Sequence, residues 1–141
     1  MVSASPHLVS GYLLDSNIFI RDERGTFDLH EFVQDRPPAS YAMSSVTAAE
    51  LLLGVDLATP GHRARRRQNV DDYLAGFLVL DFDIHCARQW STIAARLRAK
   101  GRNIGAHDLL IAATALHYNY GVITFNAQEF SRIPGLAVFT P

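Results

Sequence analysis

Three acidic residues adjoin apolar segments that a folded chain would bury. Asp15 follows the apolar run 12–14, Glu50 precedes three leucines, and Asp108 precedes the apolar run 109–113. Burying a polar group without a partner costs about 2–7 kcal/mol. If folding brings these three carboxylates together, they repel one another and require a shared cation. The pattern therefore predicts a divalent-metal site built from distant parts of the chain.

Short apolar strands alternate with helices along the chain. The predicted strands are 12–15, 41–43, 77–80, 121–125 and an edge strand at 136–139; the predicted helices start at 16 and 44 and cover 63–76, 83–100 and 106–118. Such alternation is typical of an α/β protein with a mainly parallel sheet covered by helices on both faces. In these sheets, functional groups collect at the carboxyl ends of the strands. Asp15 ends the first predicted strand, and Asn126 follows the strand 121–125.

The length of 141 residues fits one domain, 1–141, with residues 1–10 as an N-terminal extension. Hydrophobic residues make up 48% of the chain and charged residues 19%, which excludes a disordered protein. The single cysteine rules out an internal disulfide. The first residues lack the pattern of a signal peptide, and no apolar run spans a bilayer. We expect a cytoplasmic protein that does not associate with membranes.

The net charge of −1 conceals a basic middle segment. Residues 61–102 carry nine basic side chains against four acids, whereas residues 1–60 carry three against eight. A basic segment beside acidic ends is suited to holding a phosphate backbone near a metal centre. The alternative is a solvated helix face, the common fate of a charge run. The candidate substrate-binding residues are Arg63, Arg66, Arg67 and Arg102.

Two of the three acids have structural alternatives. Asp15 is a favoured residue type for the N-cap of the following helix. Glu50 completes a capping box with Thr47, although Ser44 is an earlier cap candidate that places Glu50 beyond the first turn. Asp108 shares its helical face with Ile111 and alanines, and the helix dipole contributes only about 0.3–1 kcal/mol to an acid there.

Together the three acids favour hard-oxygen metal chemistry. Mg²⁺ and Mn²⁺ prefer carboxylate and water ligands. A bound cation lowers the pKa of a coordinated water and offsets charge on a scissile phosphate. The histidines lack zinc-ligand spacing, and no glycine-rich phosphate loop is followed by Lys. These observations predict a metal-dependent nuclease.

Four motifs occur in order along the chain: Leu13-Leu14-Asp15-Ser16-Asn17, Ala49-Glu50-Leu51-Leu52-Leu53-Gly54, Gly105-Ala106-His107-Asp108-Leu109-Leu110-Ile111-Ala112-Ala113 and Ile123-Thr124-Phe125-Asn126-Ala127-Gln128-Glu129-Phe130. Together they resemble the motifs of the PIN-domain ribonucleases, and more narrowly those of VapC-type toxins from bacterial toxin–antitoxin systems. The resemblance extends over nearly the whole chain from Tyr12, and the motif around Asp108 is the most specific.

The resemblance implies a single PIN-like domain with Mg²⁺- or Mn²⁺-dependent endoribonuclease activity, using one or two ions per chain. The implied substrate is structured RNA, such as transfer or ribosomal RNA. The implied partners are a second copy of the chain, forming a homodimer, and a VapB-like antitoxin whose tail occupies the active site.

Site residues follow from the same resemblance, position by position. Asp15, Glu50 and Asp108 match the catalytic, metal-binding acids. Asn126 stands where many relatives have an acid. Because an amide carries no charge, this difference disfavours the binding of a second metal ion. The secondary site positions are Asn126, Glu129, Asn17 and Thr124.

Two other classes of function are open to a chain of this pattern. A non-catalytic PIN-like module would use its acids to bind an antitoxin and act with it as a DNA-binding repressor. A phospho-acceptor signalling domain has similar topology, but its late-strand Lys is missing, since the only Lys is Lys100 at a helix end.

Overall fold

A computed structural model describes residues 9–141, so most of the predicted N-terminal extension, residues 1–8, lies outside the described part. The elements alternate as the sequence predicts. In chain order they are β1 (Gly11–Leu14), α1 (Ser16–Glu23), α2 (Leu29–Gln34), β2 (Tyr41–Ser44), α3 (Ser45–Asp56), α4 (Pro60–Gly76), β3 (Leu78–Leu80), α5 (Ile84–Ala99), α6 (Ala106–Tyr118), β4 (Tyr120–Ile123), α7 (Ala127–Phe130) and β5 (Val138–Phe139).

The five strands form one sheet in the order β3-β2-β1-β4-β5, and every pairing is parallel. This confirms the predicted α/β class. The chain moves outward from β1 to β2 and β3, then returns to the other side of β1 with β4. The gap between the carboxyl ends of β1 and β4 is therefore a topological switch point, where parallel sheets bind ligands.

Alternate residues of each central strand enter two separate hydrophobic cores, one on each face of the sheet. Leu13 and Val122 pack with α5 and α6, whereas Leu14 and Ile123 pack with α1, α3 and α4. Because side chains alternate along a strand, a strand covered on both faces is apolar throughout. The continuous apolar runs in the sequence follow from this arrangement.

Two short helices are absent from the sequence prediction. Asp28 caps α2 by accepting a hydrogen bond from the Glu31 amide, and α7 is a single turn after Asn126. Helix α4 begins at Pro60, three residues before its predicted start, because proline suits the first helical position. Within residues 9–141, no helix is both long and apolar enough to cross a membrane.

Candidate active site

The candidate site lies at the switch point, where Asp15 follows β1 and Thr124 follows β4. These strands are hydrogen-bonded neighbours, with Leu14 opposite Ile123. The Asp15 amide continues the ladder by donating to the Ile123 carbonyl at 3.0 Å. Strand register alone therefore places the side chains of residues 15 and 124 beside each other.

Asp15 is a buried carboxylate, 4% exposed, that accepts two hydrogen bonds. Its Oδ1 accepts from the Ser16 amide and its Oδ2 from the Thr124 hydroxyl, both at 2.8 Å. Burial raises its pKa, these two bonds lower it, and the charges of Glu50 and Glu129 raise it further. Asp15 is also the N-cap of α1, so the capping interpretation is correct. The cap leaves the charge without a cationic partner among the described residues.

Thr124 is fully buried and joins three parts of the site. While donating to Asp15, its oxygen accepts from the Asn126 amide at 2.8 Å and from Asn17 Nδ2 at 3.4 Å. Asn17 Oδ1 in turn accepts from the Phe125 amide at 3.3 Å. The predicted secondary residues Asn17, Thr124 and Asn126 therefore lie together beside Asp15.

Glu50 lies in the second turn of α3, so the capping box is wrong. Ser44 is the N-cap and accepts from the Thr47 amide at 3.0 Å, which leaves Glu50 free to bond elsewhere. Its Oε1 accepts from the Ser16 hydroxyl at 2.6 Å, and its Oε2 lies 3.3 Å from His107 Nδ1. Sequence reasoning missed Ser16 and His107 as contacts of this acid, and their only signal was adjacency to Asp15 and Asp108.

Asp108 lies in the first turn of α6 and is half-buried. Burial raises its pKa to about 7, and the neighbouring charges of Asp15, Glu129 and Glu50 contribute to the increase. Four carboxylates from four elements thus act on one another electrostatically. The three neighbouring acids therefore lie near enough to Asp108 to affect its pKa, and their joint role in binding a metal stays a prediction.

Two further side chains reach this cluster: Glu129 from α7, and Asn126 from the position just before α7. Asn126 Nδ2 donates to Glu129 Oε2 at 2.8 Å and lies 3.4 Å from Asp108 Oδ2. Glu129 Oε1 accepts from the Gly105 amide, and this bond, followed by the one from Asn126, lowers the Glu129 pKa. Glu129 thereby supplies an ionised carboxylate next to the amide at position 126.

The chemistry of these donors fits a hard divalent cation. The cluster of Asp15, Glu50, Asp108, Asn126 and Glu129 offers oxygen ligands, as Mg²⁺ and Mn²⁺ prefer. A cation also suits the electrostatics, because it would reverse the mutual repulsion of the acids. In the described chain, no three His, Cys, Asp or Glu side chains are gathered at metal-ligand spacing. Each acid instead engages a hydrogen-bond donor.

The predicted phosphate-binding arginines of α4 have protein partners. Arg63 donates to the Ala58 carbonyl at 2.9 Å, Arg66 Nε lies 3.7 Å from Glu23, and Arg67 lies 3.7 Å from Asp56. These contacts hold them against the ends of α1 and α3, and the assignment of Arg63, Arg66, Arg67 and Arg102 to the substrate stays a prediction.

Comparison with known proteins identifies the family of this arrangement. Residues 12–136 match the PIN domain family. The chain is 34% identical over 131 residues to "Ribonuclease VapC" of Rickettsia bellii, covering 92% of this chain and 96% of that protein. It is 33% identical over 96 residues to "tRNA(fMet)-specific endonuclease VapC" of Salmonella typhimurium, covering 68% of this chain and 71% of that protein.

Solved structures give the same result. The DNA-bound VapBC of Salmonella typhimurium has a chain that superposes with a TM-score of 0.84 at 28% identity, covering 92% of this chain and 97% of its own. VapBC2 of Rickettsia felis, bound to a DNA fragment from its promoter, matches with a TM-score of 0.82 at 29% identity, covering 92% and 98%.

Proposed function

The chain belongs to the PIN-domain family and, within it, to the VapC ribonucleases of toxin–antitoxin systems; on this premise we propose that its acidic site hydrolyses RNA phosphodiester bonds with a metal-activated water. The observation that carries the proposal is the convergence of Asp15, Glu50, Asp108 and Glu129. Burial, followed by the charges of Asp15, Glu129 and Glu50, raises the pKa of Asp108 to about 7. None of the four acids meets Lys or Arg within ion-pair distance in the described chain.

The side chains of the site have distinct roles in this proposal. Asp15 and Asp108 would hold the ion directly, and Glu50 would position it or its waters. Asn126 and Glu129 complete the surroundings, and Thr124 orients the Asp15 carboxylate through its hydroxyl. When bound, Mg²⁺ or Mn²⁺ lowers the pKa of a coordinated water and offsets charge on the scissile phosphate. Because Asn126 contributes no charge, the site has less capacity for a second ion than one with an acid there.

The substrate and partners follow by analogy with the relatives. A relative named for its specificity towards initiator tRNA supports structured RNA as the substrate class. The structural neighbours are VapBC complexes, which supports a VapB-like antitoxin as the partner. We also propose a homodimer whose activity the antitoxin tail blocks by entering the acidic site.

The test is cleavage of RNA by the purified protein freed of any partner. We expect Mg²⁺-dependent cleavage of total RNA by the wild type, loss of cleavage with EDTA, and none by Asp15→Asn. Sequencing of RNA ends after brief expression, wild type beside Asp108→Ala, identifies the target. Equal cleavage by wild type and Asp15→Asn removes the proposal.

A second role is supported by the neighbours that are bound to DNA. With its antitoxin, the chain would contribute to a complex that binds the promoter of its own operon. This role is compatible with catalysis, because DNA binding belongs to the complex and RNA cleavage to the freed toxin. Promoter binding by a complex containing Asp15→Asn would separate the two activities.

A further inference from the structure

Arg21, in the last turn of α1, differs from Arg63, Arg66 and Arg67, the α4 arginines that the sequence singled out. Arg63 donates to a backbone carbonyl, and Arg67 pairs with a carboxylate. Arg66 does both. Arg21 is exposed, and within residues 9–141 its guanidinium has neither a carboxylate partner nor a hydrogen-bond acceptor. Its five N–H donors are therefore available to a ligand.

An aromatic ring holds this guanidinium in place. The Arg21 guanidinium carbon lies 4.0 Å from the centroid of the Phe125 ring, in cation–π contact. Phe27 packs edge-on against the same ring, with centroids 5.3 Å apart and an interplanar angle of 85°. Since Phe125 packs against Phe27, its contact with Arg21 restrains the arginine and reduces the side-chain entropy that binding would cost.

The position of this cation links it to the acidic site. Asn17 and Arg21 are four residues apart on α1 and so share one helical face. Asn17 bonds to Thr124 and to the Phe125 amide, and Thr124 donates to Asp15. Arg21 thus lies one helical turn, about 6 Å, farther from the acids than Asn17 along α1.

The position and charge of Arg21 favour a phosphate ligand. The site has four carboxylates, and residues 1–60 carry eight acids against three arginines. An RNA strand entering this region meets strong repulsion at the phosphates that flank the scissile bond. A planar guanidinium binds a phosphate through two parallel hydrogen bonds. The helix dipole explains why a basic residue suits the last turn of α1, but it does not explain the stacking on Phe125.

We propose that Arg21, held on the Phe125 ring, binds a phosphate of the RNA strand next to the scissile bond. This inference rests on the proposed ribonuclease function and adds a substrate subsite to it. Phe125 is a positioning residue here, because it orients Arg21 without touching the reacting atoms. A partner protein bound through the same cation is the competing outcome.

The experiment measures RNA binding rather than cleavage. All variants also carry Asp15→Asn, which should prevent cleavage. Their affinity for a fluorescein-labelled oligouridylate is measured at a fixed Mg²⁺ concentration and at several salt concentrations. We expect Arg21→Met to weaken binding about 5- to 10-fold and to reduce the slope of log affinity against log salt by about 0.7, as for one lost phosphate contact on a single strand. Arg24→Met is the matched control, because it removes the same charge from an exposed position at the end of the same helix.

A coupling measurement tests the role of the ring. We expect Phe125→Leu to weaken RNA binding less than Arg21→Met does. The double variant should bind no more weakly than Arg21→Met alone, because both changes remove the same stacked Arg21–Phe125 pair. Arg21→Lys should keep the salt slope while losing part of the affinity. Thermal unfolding of each variant verifies that it is folded.

Three results overturn the inference: an equal slope change in Arg21→Met and Arg24→Met, a loss of affinity without a slope change, or no binding of the oligonucleotide. If Arg21→Met leaves RNA binding unchanged but weakens antitoxin binding, the cation belongs to the partner interface instead. The proposed function fails separately, by equal cleavage from wild type and Asp15→Asn.

Discussion

Helix α1 has an acid at each end, Asp15 before its first turn and Asp22 in its last, and the two carboxylates have opposite surroundings. Asp22 accepts from the Leu29 amide at 2.9 Å and from the Tyr73 hydroxyl, and so joins α1 to α2 and α4. Burial, and then the bond to Asp22, raises the Tyr73 pKa, so the phenol stays a donor. Asp22, Leu29 and Tyr73 form what we term the Asp22 junction.

At the Asp22 junction one acid meets two donors from other elements. At the other end of the helix, Asp15 also has two donors, but the charges of Glu50 and Glu129 raise its pKa. The charges of Asp15, Glu129 and Glu50 also raise the pKa of Asp108. A carboxylate with its own donors stabilises a fold, whereas several that converge lower stability until a cation binds. A candidate site is therefore recognised by convergence of like charge rather than by burial of one acid.

The largest effect should come from Asp15→Asn. The new amide oxygen can still accept from the Ser16 N–H, but the Thr124 hydroxyl loses its acceptor, because its oxygen already accepts two hydrogen bonds. Relief of the repulsion from Glu50 and Glu129 offsets this loss, so the free energy of unfolding should change little. Loss of the charge should lower RNA cleavage by at least about 100-fold, since even changes to outer-shell partners of metal sites cost 10- to 100-fold. Initial cleavage rates and thermal unfolding measure both. Unchanged cleavage by Asp15→Asn would mean that Asp15 is a structural acid like Asp22.

Thr124→Val should have the next largest effect. It removes the hydroxyl that donates to Asp15 Oδ2 while keeping the buried volume. We expect cleavage to fall about 10- to 100-fold, and the free energy of unfolding to fall by about 1–3 kcal/mol because a buried carboxylate loses a partner. Thr124→Ser retains the hydroxyl and should behave like the wild type. Similar losses in both variants would show that packing, and not the hydrogen bond, matters at this position.

Asp22→Ala should have the reverse profile of Asp15→Asn. It leaves the Leu29 amide and the Tyr73 hydroxyl without their acceptor, which should lower the free energy of unfolding by about 2 kcal/mol. Cleavage per folded molecule should be unchanged at a temperature well below unfolding. Chemical denaturation combined with rate measurements tests this, and a large loss of cleavage in folded protein would contradict the comparison.

Asn126→Asp should have the smallest effect and should depend on metal. The change replaces a donor to Glu129 with a further negative charge in the acidic cluster. We expect the free energy of unfolding of the metal-free protein to fall by about 1 kcal/mol. Added Mg²⁺ should raise the unfolding midpoint more in this variant than in the wild type, because the new acid is a better ligand. Equal shifts in both proteins would mean that residue 126 does not face the ion.

Much of the architecture could be predicted from local signals. The apolar runs ending at Leu14 and Ile123 indicate strands covered on both faces, and the acids and hydroxyls after them indicate the functional edge. The short helices α2 and α7 escaped prediction, because a helix of four to six residues has too few turns to show a periodic pattern. The strand spans were predicted to within one or two residues, as is usual for element ends.

The α/β class and the candidacy of Asp15, Glu50 and Asp108 could be read from the chain alone, because strand and helix periodicity and the placement of acids beside apolar runs are local properties of the sequence. Which acids lie near one another and which meet only hydrogen-bond donors depends on how distant segments pack in the folded chain. Asp15 and Asp22 are the same residue type on one helix, and their difference depends on neighbours as distant in sequence as Thr124 and Tyr73. Arg21 likewise gained its position from Phe125, far along the chain, because contacts between strand ends and helices form only once the sheet has assembled.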